Sequence, residues 1–537
     1  MHFSFGKRRF LRRSLTLLSL LMVIPSYMAF AQAPSESTEQ LNVNDLITLS
    51  GGPLSLQQVA LITLDNSPSL FQGQLGVESA IASARIATGA FDINTSVSSN
   101  VKNNRPTSSN DQDTQSLTFS LNERFRTGVS ASASAGINRT DDRIKPQDTN
   151  NLSNLKLNIT IPLLKGGGYV SAAAGENVAL LKSQAAELGY YHSVSKLLLS
   201  STNAYWNYKA AVESLKIQQD SEQRIQSWVD AVKEGASSQG GTPDEANVSR
   251  VKGYLASKQK ETTTAAQAVY STKSALIVAM GISSEEVDNI GEPSEKFAVG
   301  WNETVAKLEQ QSLQAKWIAE AKEKRLDIQA AKLTQESTAV NLAKTRHDVL
   351  PQLNLTLSAS RSAIELGDGY SRYVDALNGD PRGNDVAATL TLSYPLGNNV
   401  AKGQRDVANV SNQLNIIKLN DLIRTIRVQV GVDANDLMRR LDETTATLEA
   451  VELYKSSLDG SYNSSRDNLL GDPLTIFSLM DLDEKLTEAK NDHLTSLQEL
   501  AKATAQLRYQ TGTILSSMSM DTKKLVLEDM STIPGID

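Results

Sequence analysis

The side chains best suited to chemistry are sparse in this 537-residue sequence, and they do not assemble into a reactive set. There are four histidines and no cysteine. Without thiols, cysteine catalysis, disulfide scaffolds and cysteine-ligated zinc or iron–sulfur centres are excluded. His192 falls in the run Val178, Leu181, Ala185, Leu188, His192, and His493 sits in a similar helical run. They could pair as metal ligands or serve as polar packing positions, and their helical spacing favours packing. His347 lies just before Leu350-Pro351. Gly166-Gly167-Gly168 resembles a phosphate loop only superficially, because no Lys-Ser/Thr follows. It reads instead as a joint where the backbone turns sharply between a strand and a helix. Ser237-Ser238-Gln239-Gly240-Gly241-Thr242-Pro243-Asp244 and Leu470-Gly471-Asp472-Pro473 have the residues of turns that open helices. There Asp244 and Asp472 read as helix caps. These spacings imply a protein that is not an enzyme, with no catalytic residue, cofactor or metal.

Long helices must position these turns. Leu479, Leu482, Leu486, Ala489, His493, Ser496, Leu500, Ala503 and Leu507 follow alternating steps of three and four. Val248, Val251, Leu255, Lys258, Thr262, Ala265, Val269, Thr272 and Leu276 keep the same register. Both are heptad seams with small and polar members, suited to close helix packing beside water. Long helical stretches are expected over about 174–234 and 400–468, and about 60 residues span about 90 Å at roughly 1.5 Å per residue. A tube or a stalk needs such lengths; a globular core does not.

Between the helices the hydrophobic period changes to two. Phe91, Ile93, Thr95, Val97 and Ser99 alternate with Asp92, Asn94, Ser96 and Ser98. Leu155, Leu157, Ile159 and Ile161 alternate with Lys156, Asn158 and Thr160, and Leu353, Leu355, Leu357 and Ala359 with Asn354, Thr356 and Ser358. This is the pattern of barrel strands with lipid outside and water inside, although a half-buried soluble sheet shares it. Polar stretches at 104–115 and 366–384 read as outer loops. Two further alternating segments, about 116–124 and 128–139, flank Arg126-Thr127-Gly128. They make the first half either four-stranded or two-stranded with an elaborated hairpin above the membrane.

The order repeats. Ser69-Leu70 through Phe91-Asp92-Ile93 corresponds to Asp327-Ile328 through Leu350-Pro351-Gln352-Leu353, and Ile159 to Leu163 corresponds to Leu392 to Leu396 with Pro162 opposite Pro395. The expected architecture is therefore an α+β membrane protein with internal duplication. Residues 53–290 form a first repeat with barrel strands in 91–163, and 321–515 a second with strands in 351–396. An inter-repeat segment spans 291–320 and a tail of no assigned role spans 516–537.

The first 31 residues read as a secretory signal, with 32–52 as a linker. Lys7, Arg8, Arg9, Arg12 and Arg13 precede a short apolar stretch and an Ala29-Phe30-Ala31 cleavage site, the alternative being an uncleaved anchor. Removing those five bases from 53 leaves 48 Lys and Arg against 60 Asp and Glu. That acidity argues against a nucleic-acid partner. Beyond residue 31 no stretch is long and apolar enough for a membrane-spanning helix, so insertion would use strands. Four to six strands cannot close a barrel that needs at least about eight, so several chains must share it.

Pro53-Leu54-Ser55-Leu56-Gln57-Gln58-Val59-Ala60 ahead of Asn66-Ser67-Pro68-Ser69-Leu70, the Pro162 to Gly168 strand exit, and Gly471 followed by Thr475 to Asp481 and closing Gly512 complete the pattern. Over roughly 53–515 the chain resembles the TolC-like outer-membrane efflux family. The resemblance implies a homotrimer with a shared transmembrane β-barrel in outer-membrane lipid and a long coiled-coil tunnel in the periplasm. A periplasmic adaptor protein and an inner-membrane pump would dock at the tunnel tip. It implies a passive exit duct for tripartite efflux or type I secretion. Asp481 matches an acidic position lining the tunnel end, where three copies would form a carboxylate ring attracting cations. Ser478 stands where a second acid is common. With Asp472 they are the expected tip gate, and Gly240, Gly241, Gly471 and Pro473 the expected adaptor-contact turns. Asp481 on a solvated face is the competing reading. An exported structural or adhesive coiled-coil stalk is the competing function; it needs one strand–helix unit, where this sequence has two in tandem.

Overall fold

The structure, a computed structural model, describes residues 52–104, 112–142, 149–238, 245–297, 310–367, 372, 376, 383–465, 473–518, 525–527 and 533–534. It is mostly helical, with one six-stranded antiparallel sheet. Helix α1 (Leu56–Asn66) opens on a capping box in which Ser55 and Gln58 satisfy each other's backbone N–H groups. Ser67-Pro68 breaks the chain and starts α2 (Pro68–Thr88). A single 3₁₀ turn, Gly89–Phe91, leads into the sheet. Phe91 is thus in a turn, and the alternating pattern becomes strand only at Asn94.

Strands β1 (Asn94–Asn104), β2 (Gln112–Arg124), β3 (Ser130–Asp142) and β4 (Asn150–Pro162) follow in sequence. The first half contributes four strands to the sheet. Residues 112–115 belong to β2, so the expected loop at 104–115 is shorter than its polarity suggested. The long helix α3 (Ala174–Ser238) and its partner α4 (Glu245–Met280) come next. Helix α5 (Gln310–Lys324) occupies part of the expected inter-repeat segment and is separated from α6 (Leu326–Asp348) by Arg325. Then come β5 (Gln352–Leu366), β6 (Gly383–Ser393), α7 (Asn399–Ser465) and α8 (Pro473–Thr511). A small hairpin, β7 (Leu515–Met518) and β8 (Leu525–Leu527), ends the described elements. No described helix is long and apolar enough to cross a membrane.

The strand order is β1-β2-β3-β4-β5-β6, which leaves β1 and β6 as the edges. Registration places like residues in rows, because side chains alternate faces with a period of two. Val97 pairs with Phe119, Phe119 with Ala135 and Ala135 with Leu155. Ile159 pairs with Leu357, and Leu355 with Leu390. One face is therefore mainly apolar across the six strands, interrupted by Arg361 opposite Leu155, and the other is dominated by Ser, Thr and Asn.

Helices α3 (65 residues) and α7 (67 residues) each run about 100 Å at roughly 1.5 Å per residue. The seam of α8 is its buried side: Leu479, Leu486, Ala489, Ser496, Leu500, Ala503 and Leu507 are all buried. In α4, Val251, Lys258 and Leu276 are buried at the matching register. A second apolar core gathers Trp317 of α5, Ile328 of α6, Ile426, Val430 and Leu437 of α7, and Leu507 of α8. Ile533 of the C-terminal tail joins it, and the Trp317 indole N–H donates to the Pro534 carbonyl at 3.0 Å. Ile533 and Pro534, from a tail expected to have no assigned role, thus fill and cap this core.

Candidate functional site

The ends of the four long helices near residues 225–258 and 458–486 are joined by both apolar and charged contacts. The apolar base is set by Ile225, Trp228, Val229 and Val232 of α3, Val251 of α4, Leu458 of α7, and Ile476, Leu479 and Leu486 of α8. Trp228 stacks on Tyr462 with ring centroids 6.4 Å apart. The Arg250 guanidinium lies 4.2 Å from the Phe477 ring centroid, a cation–π contact from α4 to α8.

Two ion-paired links cross from α8 to its neighbours. Asp483 has a fully buried side chain; Ser221 donates to it at 2.7 Å and Arg224 Nε at 2.9 Å, with Arg224 Nη2 also 2.7 Å away. Lys258, itself a seam position, donates to Glu484 at 2.6 Å and to Glu261 at 3.1 Å. Tyr254 donates to Glu484 at 3.0 Å and lies 3.2 Å from the Met480 carbonyl. A buried charge requires such pairing, since desolvation otherwise costs several kcal/mol.

The α3–α8 contact continues away from the tip as uncharged polar rungs about two helical turns apart. Ser214 donates to Asn491 at 3.0 Å, and Gln498 donates to Asn207 at 2.7 Å. The antiparallel run of the helices gives the pairings 221 with 483, 214 with 491 and 207 with 498. A contact built from such rungs can part and rehydrate at lower cost than an apolar seam of equal length.

Burial disfavours the Lys258 cation, but Glu484 and Glu261 outweigh it and hold its pKa above the ordinary value. Burial likewise opposes ionisation of Glu484, and the Lys258 and Tyr254 contacts bring its pKa below the ordinary value. The Tyr254 hydroxyl is pushed well up, by burial first and then by Asp483 and Glu484. A lowered carboxylate pKa stabilises above the unfolded value of about 4.3 and ceases to as pH falls through the folded value. The raised lysine pKa stabilises below about 10.4 and fades at higher pH. The Lys258–Glu484 link is therefore strong from mildly acidic to mildly alkaline pH. If it restrains the tip, conductance should rise only under strong acid. Glu484→Gln should show that rise already at neutral pH, with the acid limb flattened; an unchanged acid limb would remove Glu484 from gating.

The expected gate residues Ser478 and Asp481 lie three apart on one exposed face of α8, away from its buried seam. Lys485, one turn on, is held up mainly by Glu488, with Asp481 adding to the effect. Pro473 is the first residue of α8, a position that suits proline because its N–H would be unpaired there anyway. Asp472, Gly240, Gly241 and Gly471 lie outside the described residues. Spacing alone did not reveal Asp483, Arg224 or Glu484. The one available signal was Lys258, a cation at a seam position that demands a nearby carboxylate.

The histidines are not brought together. His192 Nε2 is 3.2 Å from the Tyr509 hydroxyl and 3.9 Å from Asp327, while His493 Nδ1 is 3.1 Å from the Thr447 hydroxyl. Burial is the leading cause that holds both pKa values below the ordinary one. Among the described residues no group of three or more His, Asp or Glu could hold a metal. At the glycine run, Gly166 and Gly168 have positive φ (81° and 77°), and the Gly168 N–H donates to the Thr127 carbonyl at 2.9 Å. The run is a backbone joint between β4 and α3.

No family model and no curated protein matches the sequence. Solved structures do match. The outer membrane protein VceC from Vibrio cholerae superposes with a TM-score of 0.60 at 17% identity, covering 85% of this chain and 96% of its own. The CmeC outer membrane channel of Campylobacter jejuni gives 0.60 at 11% identity, covering 85% of each chain. The MtrE outer membrane channel of Neisseria gonorrhoeae, in its open state, gives 0.57 at 15% identity, with 85% and 88% covered. At these identities the likeness establishes architecture, and the architecture of this chain is the TolC-like outer-membrane channel fold.

Proposed function

We propose that the protein is a trimeric exit duct in the outer membrane of a Gram-negative cell, extending into the periplasm. It would serve tripartite efflux or type I secretion as a passive channel rather than an enzyme. The observation that carries this reading is the open six-stranded sheet with one mainly apolar face and two edges that are unpaired among the described residues. Lipid does not tolerate open edges, so copies of the chain must complete a cylinder. A second surface calls for the same neighbours. On α7, Val400, Val407, Leu414 and Val428 are exposed at multiples of seven, with Val410 and Ile417 beside them. A neighbouring chain would cover this seam.

The halves would represent a duplicated unit, residues 53–290 and 321–515. The tip would be held shut by the Arg224–Asp483 and Lys258–Glu484 links and opened when an adaptor and an inner-membrane pump engage the turns near Gly240, Gly241, Gly471 and Pro473. Polar rungs would let the helix pairs move as rigid units. Asp481, with Ser478 beside it, would face the narrowed lumen, and three copies would attract cations. Purified protein should run as three chains in detergent and give discrete conductance steps in planar bilayers. A monomer that passes no ions would overturn the reading. Asp481→Ala should lower cation preference and weaken block by multivalent cations; unchanged selectivity and block would place Asp481 on a merely solvated face.

A further inference from the structure

We infer that the β2–β3 hairpin spans the membrane as part of the barrel wall, so that three chains close an eighteen-stranded barrel of wide bore. This rests on the proposed trimeric channel and adds what sets its width. Three observations carry it.

First, the hairpin lies inside the sheet, where it separates β1 from β4; its strands pair with each other along their full length, and 11 residues of each pair with the outer neighbour. Each strand has 13 residues, and a tilted membrane strand needs about 9–11.

Second, its two faces continue those of its neighbours. Leu117, Phe119 and Leu121 pair with Ile137, Ala135 and Ala133, which pair in turn with Ser153, Leu155 and Leu157. On the other face Ser116, Thr118 and Ser120 pair with Asn138, Gly136 and Ser134. A hairpin standing free above the membrane would not need the apolar row that runs from Val97 through Phe119 and Ala135 to Leu155.

Third, its turn is built into the joint between sheet and helices. Arg126 makes a bidentate contact with buried Glu176 of α3 at 2.6 and 2.7 Å, and its guanidinium lies 4.8 Å from the Phe91 ring centroid. Gly128 has φ of 88° and no room for a Cβ against the Gly166 carbonyl. The hairpin's near end is thereby locked to the same joint that ends β4.

With strands about 4.8 Å apart and tilted about 40°, eighteen strands enclose a backbone cylinder about 36 Å across. Four strands per chain would give about 24 Å on the same reckoning. Away from the strand ends, the polar face carries charge only at Lys102, Lys156 and Asp385. Such a bore is lined mainly by hydroxyls and amides. It neither narrows the path nor sorts cargo strongly by charge, and leaves discrimination to the tip.

The absence of native cysteine makes single-cysteine labelling clean. Phe119→Cys and Ser120→Cys probe β2, and Leu157→Cys and Asn158→Cys probe β4 as the reference strand. In brominated-lipid vesicles, fluorophores at 119 and 157 should both be quenched about twofold or more, as lipid-facing positions require. A water-soluble charged thiol reagent should modify 120 and 158 and lower conductance through both. Alternation in β4 without alternation in β2 would put the hairpin outside the membrane and overturn this inference while sparing the channel. No alternation in either strand would overturn the membrane barrel itself. A detergent particle of other than three chains would overturn the count of eighteen.

Discussion

Asp483→Asn should produce the largest functional change of any single substitution: more frequent and longer openings in planar bilayers, with the apolar seam intact. Asp483 is wholly buried and binds Ser221 and Arg224 of α3. Asparagine keeps the shape and an acceptor but removes the charge. Charge-assisted hydrogen bonds are roughly twice as strong as neutral ones, and removing one partner of a buried pair costs about 3–5 kcal/mol. Arg224 retains some solvent, so about 2–3 kcal/mol per chain is the reasonable scale, which shifts a local opening equilibrium by roughly 30- to 150-fold. The uncompensated guanidinium also adds to strain nearby. Lys490 already has a lowered pKa, chiefly from burial and next from Arg224. The double variant Arg224→Gln with Asp483→Asn should be no more open than Asp483→Asn alone, because both changes remove one interaction. Wild-type conductance and open time in the single variant would show that the link is structural only.

Trp317→Ala should cause the largest loss of stability. Trp317 is fully buried among Leu313, Ile328, Val430, Leu437 and Ile533. Truncating a buried tryptophan costs about 3–5 kcal/mol through lost burial and the cavity left behind. It also orphans the Pro534 carbonyl that the indole N–H binds. Trp317→Phe retains much of the apolar volume and should cost less, near the 1–3 kcal/mol of an unsatisfied buried group. Denaturant midpoints of the detergent-solubilised protein should fall in the order wild type, Trp317→Phe, Trp317→Ala. Deleting residues 530–537 should mimic part of the tryptophan effect, since it removes both Ile533 and the Pro534 carbonyl. Equal midpoints for all four proteins would mean that the tail does not cap this core.

The two variants separate a link that holds helices together from a core that holds the chain folded. The first lies near the tip and the second where α5, α7 and α8 meet the tail. Asp483→Asn should lower the midpoint less than Trp317→Ala does while changing open time more, and Trp317→Ala should scarcely alter tip gating while the protein stays folded.

Much of the architecture is readable from local pattern. A heptad period makes one stripe of each long helix apolar, and that stripe is the buried side of α8 from Leu479 to Leu507. A period of two makes Leu155, Leu157 and Ile159 one face of a strand whatever its partner is. Glycines at 166 and 168 mark a joint because positive φ strongly favours glycine. These features depend on residues close in sequence, so the sequence specifies them directly.

Pairing between distant segments was decided by the tertiary structure. Asp481 and Asp483 are two residues apart on one helix; the heptad puts Asp483 beside the seam but does not name its partner. One is exposed and the other buried because α3 packs Ser221 and Arg224 against a single side of α8. The β2–β3 segment was readable as strands but not as part of the main sheet, since strand alternation is the same inside or outside it. Its place follows from β1 and β4 flanking it and from Arg126 reaching Glu176, fifty residues on. The Trp317–Pro534 contact joins residues 217 apart. A short apolar segment such as the tail carries no mark of its partner until chain closure brings one within hydrogen-bonding distance.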